Sequence, residues 1–176
     1  EVEIFFSRRI GIDPSGTQVP ILGGLRLSGK AGKFDFGLLN MQTREVASVT
    51  PANNFSVLRV SREFRNRSSL GFIGVNRNST SQFARDLPWN RTFGADLNLG
   101  FGKYTNWFSN IAKSQTPGRT GSDHAGASSF DYDDQHHRLD FSYTEVGRNF
   151  NPEVGFVRRV GYRKPNFGYR YTHYPQ

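Results

Sequence analysis

The chain has 176 residues, a formal net charge of +8, no cysteine and a mean hydropathy of −0.61. That length suits one domain with a sizeable core, and the absence of cysteine excludes a disulfide framework, a zinc–thiolate centre and a thiol nucleophile. No run approaches the ~20 apolar residues of a membrane-spanning helix, although strands crossing a membrane stay open because alternation dilutes their hydropathy signal.

Phe (16), Tyr (7) and Gly (19) against a single Met favour β structure. The basic balance would suit nucleic acid or an anionic surface. The arginines are spread along the whole chain without a nucleic-acid motif, so no nucleic-acid partner is expected. The sequence opens Glu1-Val-Glu-Ile, without an initiator Met or the regions of a signal peptide, and reads as a processed chain or a piece of a longer one.

In chain order, Ile4-Phe-Phe-Ser-Arg-Arg-Ile-Gly-Ile12 is followed by the turn signal Asp13-Pro-Ser-Gly16. A strand is predicted over about 19–28, with Val19, Ile21, Leu25 and Leu27 on one face and Arg26 and Ser28 on the other. Gly29-Lys-Ala-Gly32 turns it into a strand over about 33–43, where Phe34, Phe36 and Leu38 alternate with Asp35 and Gly37, completing a hairpin. The stretch 55–65 puts Val57 opposite Leu58 and Arg59 opposite Arg62, and Leu70–Val75 follows the turn at Asn66-Arg-Ser68. A long polar stretch, about 77–90, separates this strand from the next.

The clearest element is Thr92-Phe-Gly-Ala-Asp-Leu-Asn-Leu-Gly-Phe-Gly102. Phe93, Ala95, Leu97, Leu99 and Phe101 alternate with polar residues or glycine, which defines a two-sided strand. Its length is unusual for a soluble strand and suits one crossing a bilayer at ~45°. A turn near Gly102-Lys103 precedes Asn106–Ile111, and a polar loop is predicted from 115 to 134. Beyond it Leu139, Phe141 and Tyr143 alternate with Arg138, Asp140, Ser142 and Thr144. Asn149-Phe-Asn-Pro152 reads as a turn, Val154-Gly-Phe156 as the start of a strand, and Phe167, Tyr169 and Tyr171 as one face of the last strand.

This predicts an all-β chain, an antiparallel up-and-down meander of about eight or nine long strands in one unit spanning 1–176. The first six connections alternate short and long, as they do in outer-membrane barrels with tight periplasmic turns and longer external loops. Arg163-Lys-Pro-Asn166 is read as a short loop that breaks this alternation. Aromatics near predicted strand ends, among them Tyr104, Trp107, Phe108, Phe130, Tyr132, Tyr162 and Tyr174, would suit interfacial girdles.

Phe5-Phe-Ser-Arg-Arg-Ile-Gly11, Pro20-Ile-Leu-Gly-Gly24, Leu27-Ser-Gly-Lys30, Phe36-Gly-Leu-Leu39 with Thr43, and Phe150-Asn-Pro-Glu-Val-Gly-Phe-Val-Arg-Arg159 together resemble a family of bacterial outer-membrane β-barrel domains of unknown function. The matches are short but run in order through nearly the whole chain. The resemblance implies a large barrel in the outer membrane of a Gram-negative bacterium, handling glycans or their breakdown products, behind an amino-terminal carbohydrate-binding-like domain of the family-nine type. It supplies no catalytic residues. The chain is far shorter than such a barrel and ends Tyr174-Pro-Gln176 without a terminal aromatic strand, so it reads as an internal fragment with two unpaired edges. The implied partners are the bilayer, the rest of the wall and the amino-terminal domain.

Asp131-Tyr-Asp-Asp-Gln-His-His137 holds five possible metal ligands, and Asp131, Asp133 and His136 are the candidates. The glycine and closing glutamate of an EF-hand loop are missing, so the stretch reads as a solvated external loop. Neither a metal nor a cofactor is expected. The arginine pairs Arg8-Arg9 and Arg158-Arg159 would each send one side chain into the lumen if extended, opposite Asp96, Asp140 or Glu145. The favoured role for them is to neutralise wall carboxylates or to lie at the rim against lipid head groups, ahead of selecting anionic solutes. Asn54, Asn66, Asn78 and Asn90 each head an Asn-x-Ser/Thr sequence and read here as polar loop or lumen residues. No nucleophile–base pair is visible.

The expected wall thus turns Phe93, Leu97, Leu99, Phe101, Leu139, Phe141 and Tyr143 to lipid. Arg8, Arg9, Asp96, Asn98, Asp140, Ser142, Arg158 and Arg159 are the lumen-facing candidates. The expected role is structural or in transport of polar solutes. The alternatives are a soluble β-barrel or sandwich that binds a ligand or glycan, and an outer-membrane hydrolase.

Overall fold

A computed structural model describes residues 2–13, 15–46, 50–81 and 88–174. Pro14 of the first turn signal and the terminal Pro175-Gln176 lie outside the described residues. The chain is all-β. Nine strands form one antiparallel sheet: β2 (Ile21–Ala31), β3 (Phe34–Thr43), β4 (Asn53–Glu63), β5 (Ser69–Ser79), β6 (Trp89–Phe101), β7 (Thr105–Gln115), β8 (His124–Asp133), β9 (His137–Val146) and β11 (Tyr162–Tyr171). Neighbours in sequence are neighbours in the sheet, an up-and-down order from β2 at one edge to β11 at the other. A separate antiparallel ribbon joins β1 (Val2–Glu3) to β10 (Phe156–Val157). The sheet is open, and among the described residues nothing pairs with the outer sides of β2 and β11.

Three expected elements are corrected. The polar loop predicted over 115–134 contains β8. Its outward positions His124, Gly126 and Ser128 lack apolar contrast, and only Phe130 and Tyr132 alternate as a strand should. Arg163-Lys-Pro-Asn166 is not a loop but part of β11, where an edge strand tolerates Pro165. The strand expected at Val154-Gly-Phe156 amounts to the two residues of β10. With these changes the alternation of connections never breaks: 32–33, 64–68, 102–104 and 134–136 are short, whereas 44–52, 80–88, 116–123 and 147–161 are long. All short turns therefore lie along one rim and all long connections along the other.

The register also slides steadily. Gly29, Phe36, Val60, Phe72, Ala95, Ile111, Gly126, Glu145 and Arg163 follow one another directly across the nine strands. This row begins near the short-turn rim in β2 and ends one residue inside the long-loop rim in β11. The row shifts by six to seven residues over eight steps, roughly 0.8 residue per strand, which at ~3.3 Å rise and ~4.8 Å spacing corresponds to strands tilted by roughly 30°.

A bulge between Ile21 and Gly23 opens β2, so Ile21 pairs with Thr43 and does not share the face of Leu25 and Leu27 as the sequence predicted. Beyond it, one sheet face (the inner face) is covered near the long-loop rim by residues 2–12 and 147–157. Ile10 and Val154 pack there on Phe55, Val57 and Val75, while Phe150 packs on Ala125 and Val146. Phe6 N–H donates to the Val154 carbonyl at 2.8 Å, and a Cβ at Gly155 would sit 3.0 Å from the Ile4 carbonyl carbon, so the two segments need glycine to lie this close.

Polar bonds fasten this plug to the wall. Arg77 Nε donates to Glu153 Oε2 at 2.6 Å and its Nη1 to Asn53 Oδ1 at 3.0 Å. Asn90 Nδ2 donates to the Asn151 carbonyl at 2.9 Å, and Asn151 N–H to Ser114 Oγ at 2.8 Å. Further down the same face Arg59 forms a bidentate pair with Asp96, two strands away, its Nη2 donating to Oδ2 at 3.0 Å. The guanidinium crosses over Gly71, where a Cβ would meet both the Arg59 Cζ and the Asp96 Oδ2 at 2.8 Å.

Gly71→Ala is therefore expected to destabilise the sheet by ~1–3 kcal/mol, the usual cost of overpacking. Gly37→Ala, whose Cβ would meet only the Arg59 Cβ at 3.9 Å, is expected to be neutral or stabilising. Thermal melts of the two folded variants compare them directly, and equal melting points would contradict this account.

Candidate functional site

The ladders assign every strand residue to one of two faces. On the outer face lie Phe93, Leu97, Leu99, Phe101, Leu139, Phe141 and Tyr143, all of them candidates from the sequence. Leu27, Leu38, Leu58, Phe72, Ile111 and Phe167 join them on every other long strand but β8, which adds Phe130. Among the described residues nothing covers the others, from 38% exposed at Phe130 to 67% at Phe167, while Leu97, Leu99, Leu139 and Tyr143 are half-buried among their neighbours. At ~4.8 Å per strand the apolar face is roughly 40 Å wide.

Both margins of this face are distinct. Toward the long loops, Asn40, Asn54 and Ser56 hydrogen-bond one another, Arg91 stacks on Trp89 at 4.9 Å, and Glu145 pairs with Arg163 at 2.9 Å. Toward the short turns, Tyr104 and Tyr132 meet edge to face, while Tyr169 and Tyr171 cluster with His137, whose Nδ1 lies 2.9 Å from the Tyr169 hydroxyl. Of the other aromatics noted from the sequence, Phe108 and Tyr162 point to the inner face instead.

That inner face is largely polar where the plug leaves it, with Phe108 as an apolar exception. Asp96, Asn98, Asp140 and Ser142 share it, as do Arg26, Lys30, Asp35, Asn106, Asp131, Lys164 and Arg170. Asn98 Nδ2 donates to the Arg67 carbonyl at 2.8 Å, and its Oδ1 accepts from Asn106 at 2.9 Å. Asp140 lies over Gly168 and accepts from Asn166 Nδ2 at 3.4 Å.

Arg8 and Arg9 occupy a 3-10 turn (Ser7–Arg9), so strand alternation does not govern their direction. Arg158 and Arg159 are exposed just beyond β10, with Arg159 5.7 Å from the Tyr162 ring centre. Asp96 is paired with Arg59, and Glu145 with Arg163, not with any of these four. Sequence reasoning missed Arg59 because its partner is three strands' worth of chain away. No local pattern signals this pair, because it depends on the register between strands. Of the four Asn-x-Ser/Thr asparagines, Asn90 is 1% exposed and belongs to the plug anchor.

The metal-ligand candidates do not converge. Asp131 and Asp133 lie on the inner face of β8, Asp133 sits 3.7 Å from Arg138, and His136 packs against Tyr171 and Tyr174. Among the described residues no three potential ligands form a group. The stretch serves the β8–β9 hairpin instead. Asp134 accepts from the Tyr132 hydroxyl at 2.7 Å and from the backbone N–H groups of His136 and His137 at 2.8 and 2.6 Å. Those donors favour the carboxylate and lower its pKa from 3.8 to about 2.

Because the folded pKa lies below the unfolded one, this contribution is complete above the unfolded value and is lost as pH falls toward about 2. Amide exchange in the β8–β9 hairpin is expected to accelerate between pH 4 and 2 relative to the other hairpins, adjusted for intrinsic exchange rates, with flanking residues 134–137 leading. Asp134→Ala should show fast exchange at every pH; a wild-type profile in this variant would refute the role.

No family model matches the chain, and neither a curated protein nor a solved structure matches it.

Proposed function

We propose that residues 1–176 form part of the wall of a bacterial outer-membrane β-barrel with a structural role or a role in passing polar, glycan-derived solutes. One observation carries this reading: the uncovered face of the sheet carries apolar side chains on all nine strands, while the face bearing the plug is largely polar away from it. A soluble sheet has the opposite arrangement. Soluble monomers rarely expose apolar patches above ~300–600 Å². An outer face roughly 40 Å wide and roughly 20 Å tall exceeds that, whereas lipid would cover it at no cost.

Three dimensions support the same reading. The roughly 30° tilt of the strands approaches the ~35–45° of transmembrane barrels. In β6 the outward apolar residues run from Phe93 to Phe101, roughly 26 Å along the strand and roughly 22 Å after tilt, close to the ~25 Å apolar band of such barrels. Short and long connections occupy opposite rims, and Tyr and Trp gather at the margins. The sequence motifs point to the same family of barrels, with the bilayer, further wall strands and a carbohydrate-binding-like domain as partners. By the usual rule the short turns face the periplasm.

The test is folding of the chain with and without micelles or vesicles, followed by circular dichroism and heat-modifiable gel mobility. β structure is expected only with the amphiphile. Leu97→Arg, in the middle of the apolar band, is expected to cost ~2–4 kcal/mol in lipid, and Asn76→Arg at the margin ~0–1 kcal/mol. Cooperative folding in plain buffer, or equal costs at the two positions, would overturn the proposal.

A further inference from the structure

The mouth of the inner face on the long-loop side holds a cavity of about 650 Å³ between the plug and the ends of β4 and β5. Three arginines reach it from three separate segments: Arg9 from the 3-10 turn, Arg119 from the β7–β8 connection and Arg148 from the β9–β10 connection. None of these three has an ion pair or side-chain hydrogen bond among the described residues. The cavity's carboxylates are already engaged. Glu153 is bound by Arg77 and Asn151, and Asp13 accepts from Ser15 Oγ at 2.8 Å and from Thr17 N–H at 2.7 Å. Those last bonds hold Asp13 ionised, with its pKa below the ordinary value.

With Arg77 set against Glu153, the three remaining arginines face only the ionised Asp13, so the lining keeps an excess of two positive charges. Phe55, Phe150 and Val157 add apolar surface beside it. A guanidinium is matched to carboxylate or phosphate by its paired donors, and a cavity of this size takes a small molecule. We propose that this cavity binds a soluble organic anion with two or more acidic groups on a ring or apolar body. The sheet separates it from the apolar outer face, so a lipid head group does not reach it from there. The inference needs only the fold and not the bilayer.

Benzene-1,3,5-tricarboxylate is a suitable probe, with its neutral triamide as control. Titration calorimetry is run on the chain in whichever medium, buffer or micelle, gives it β structure. One saturable site is expected for the anion and none for the triamide. Arg119→Gln with Arg148→Gln should weaken binding ~10-fold or more at low salt, and Arg9→Gln alone should weaken it as well. Arg26→Gln with Arg170→Gln removes the same charge from the inner face outside the cavity and should change affinity less than ~2-fold. Equal weakening by the two double variants would mean general attraction to a basic chain and would overturn the proposal, as would absence of a saturable site. Folding in buffer would refute the barrel reading and leave this result to be read independently.

Discussion

The two-residue period of an extended chain, kept in step across eight antiparallel ladders, is the constraint on which everything else rests. Once past the bulge at Ile21, no pairing from Gly23 to Tyr171 slips by a residue. A single slip would exchange the faces of every residue beyond it, placing Phe141 beside Asp96 and Asp140 beside Phe93. Short turns help to hold the register, since Gly32 and Gly102 adopt positive φ of 60° and 58° that a side chain would resist. The separation into an apolar and a polar face is therefore a property of the whole sheet and not of any one strand.

The inner face solves a second problem. A polar trough cannot be filled by a hydrophobic core alone, and here the filling is mixed: Ile10, Phe150 and Val154 supply apolar contacts, while Arg77, Asn90 and Ser114 bond the plug backbone and side chains. Thr92 Oγ1 is the single buried side-chain atom without a partner among the described residues. Such networks stabilise only when nearly complete, because each orphaned polar group costs more than a typical hydrogen bond contributes. This one is nearly complete, which fixes where residues 147–157 lie.

Strands with strong contrast between odd and even positions were legible directly. β6, β9 and the Phe34–Leu38 half of β3 have mainly aromatic or aliphatic residues on one side and charged, amide, hydroxyl or glycine residues on the other. β8 was not legible, because Ala125, Gly126, Ala127, Ser128 and Ser129 are small on both faces and strand identity comes from pairing with β7 and β9. Counting Val154-Gly-Phe156 as a full strand offset that omission, so a correct total arose from two local errors. The face of Asp96 was readable from alternation, but its partner Arg59 was not, since side-chain pairing across strands depends on register that no local pattern contains. The Asp131–His137 cluster was ambiguous for a related reason: turn-forming carboxylates and metal ligands are the same residue types, and only geometry separates them.

The number of strands carries one more consequence. In an up-and-down sheet, directions alternate, so with nine strands the first and the last, β2 and β11, run the same way. Bending this sheet until those edges met would join them as parallel neighbours, and a second copy in the same orientation would meet it through parallel seams too. An all-antiparallel ring needs an even total. Whatever completes such a wall must then contribute an odd number of strands, entering along one rim and leaving along the other.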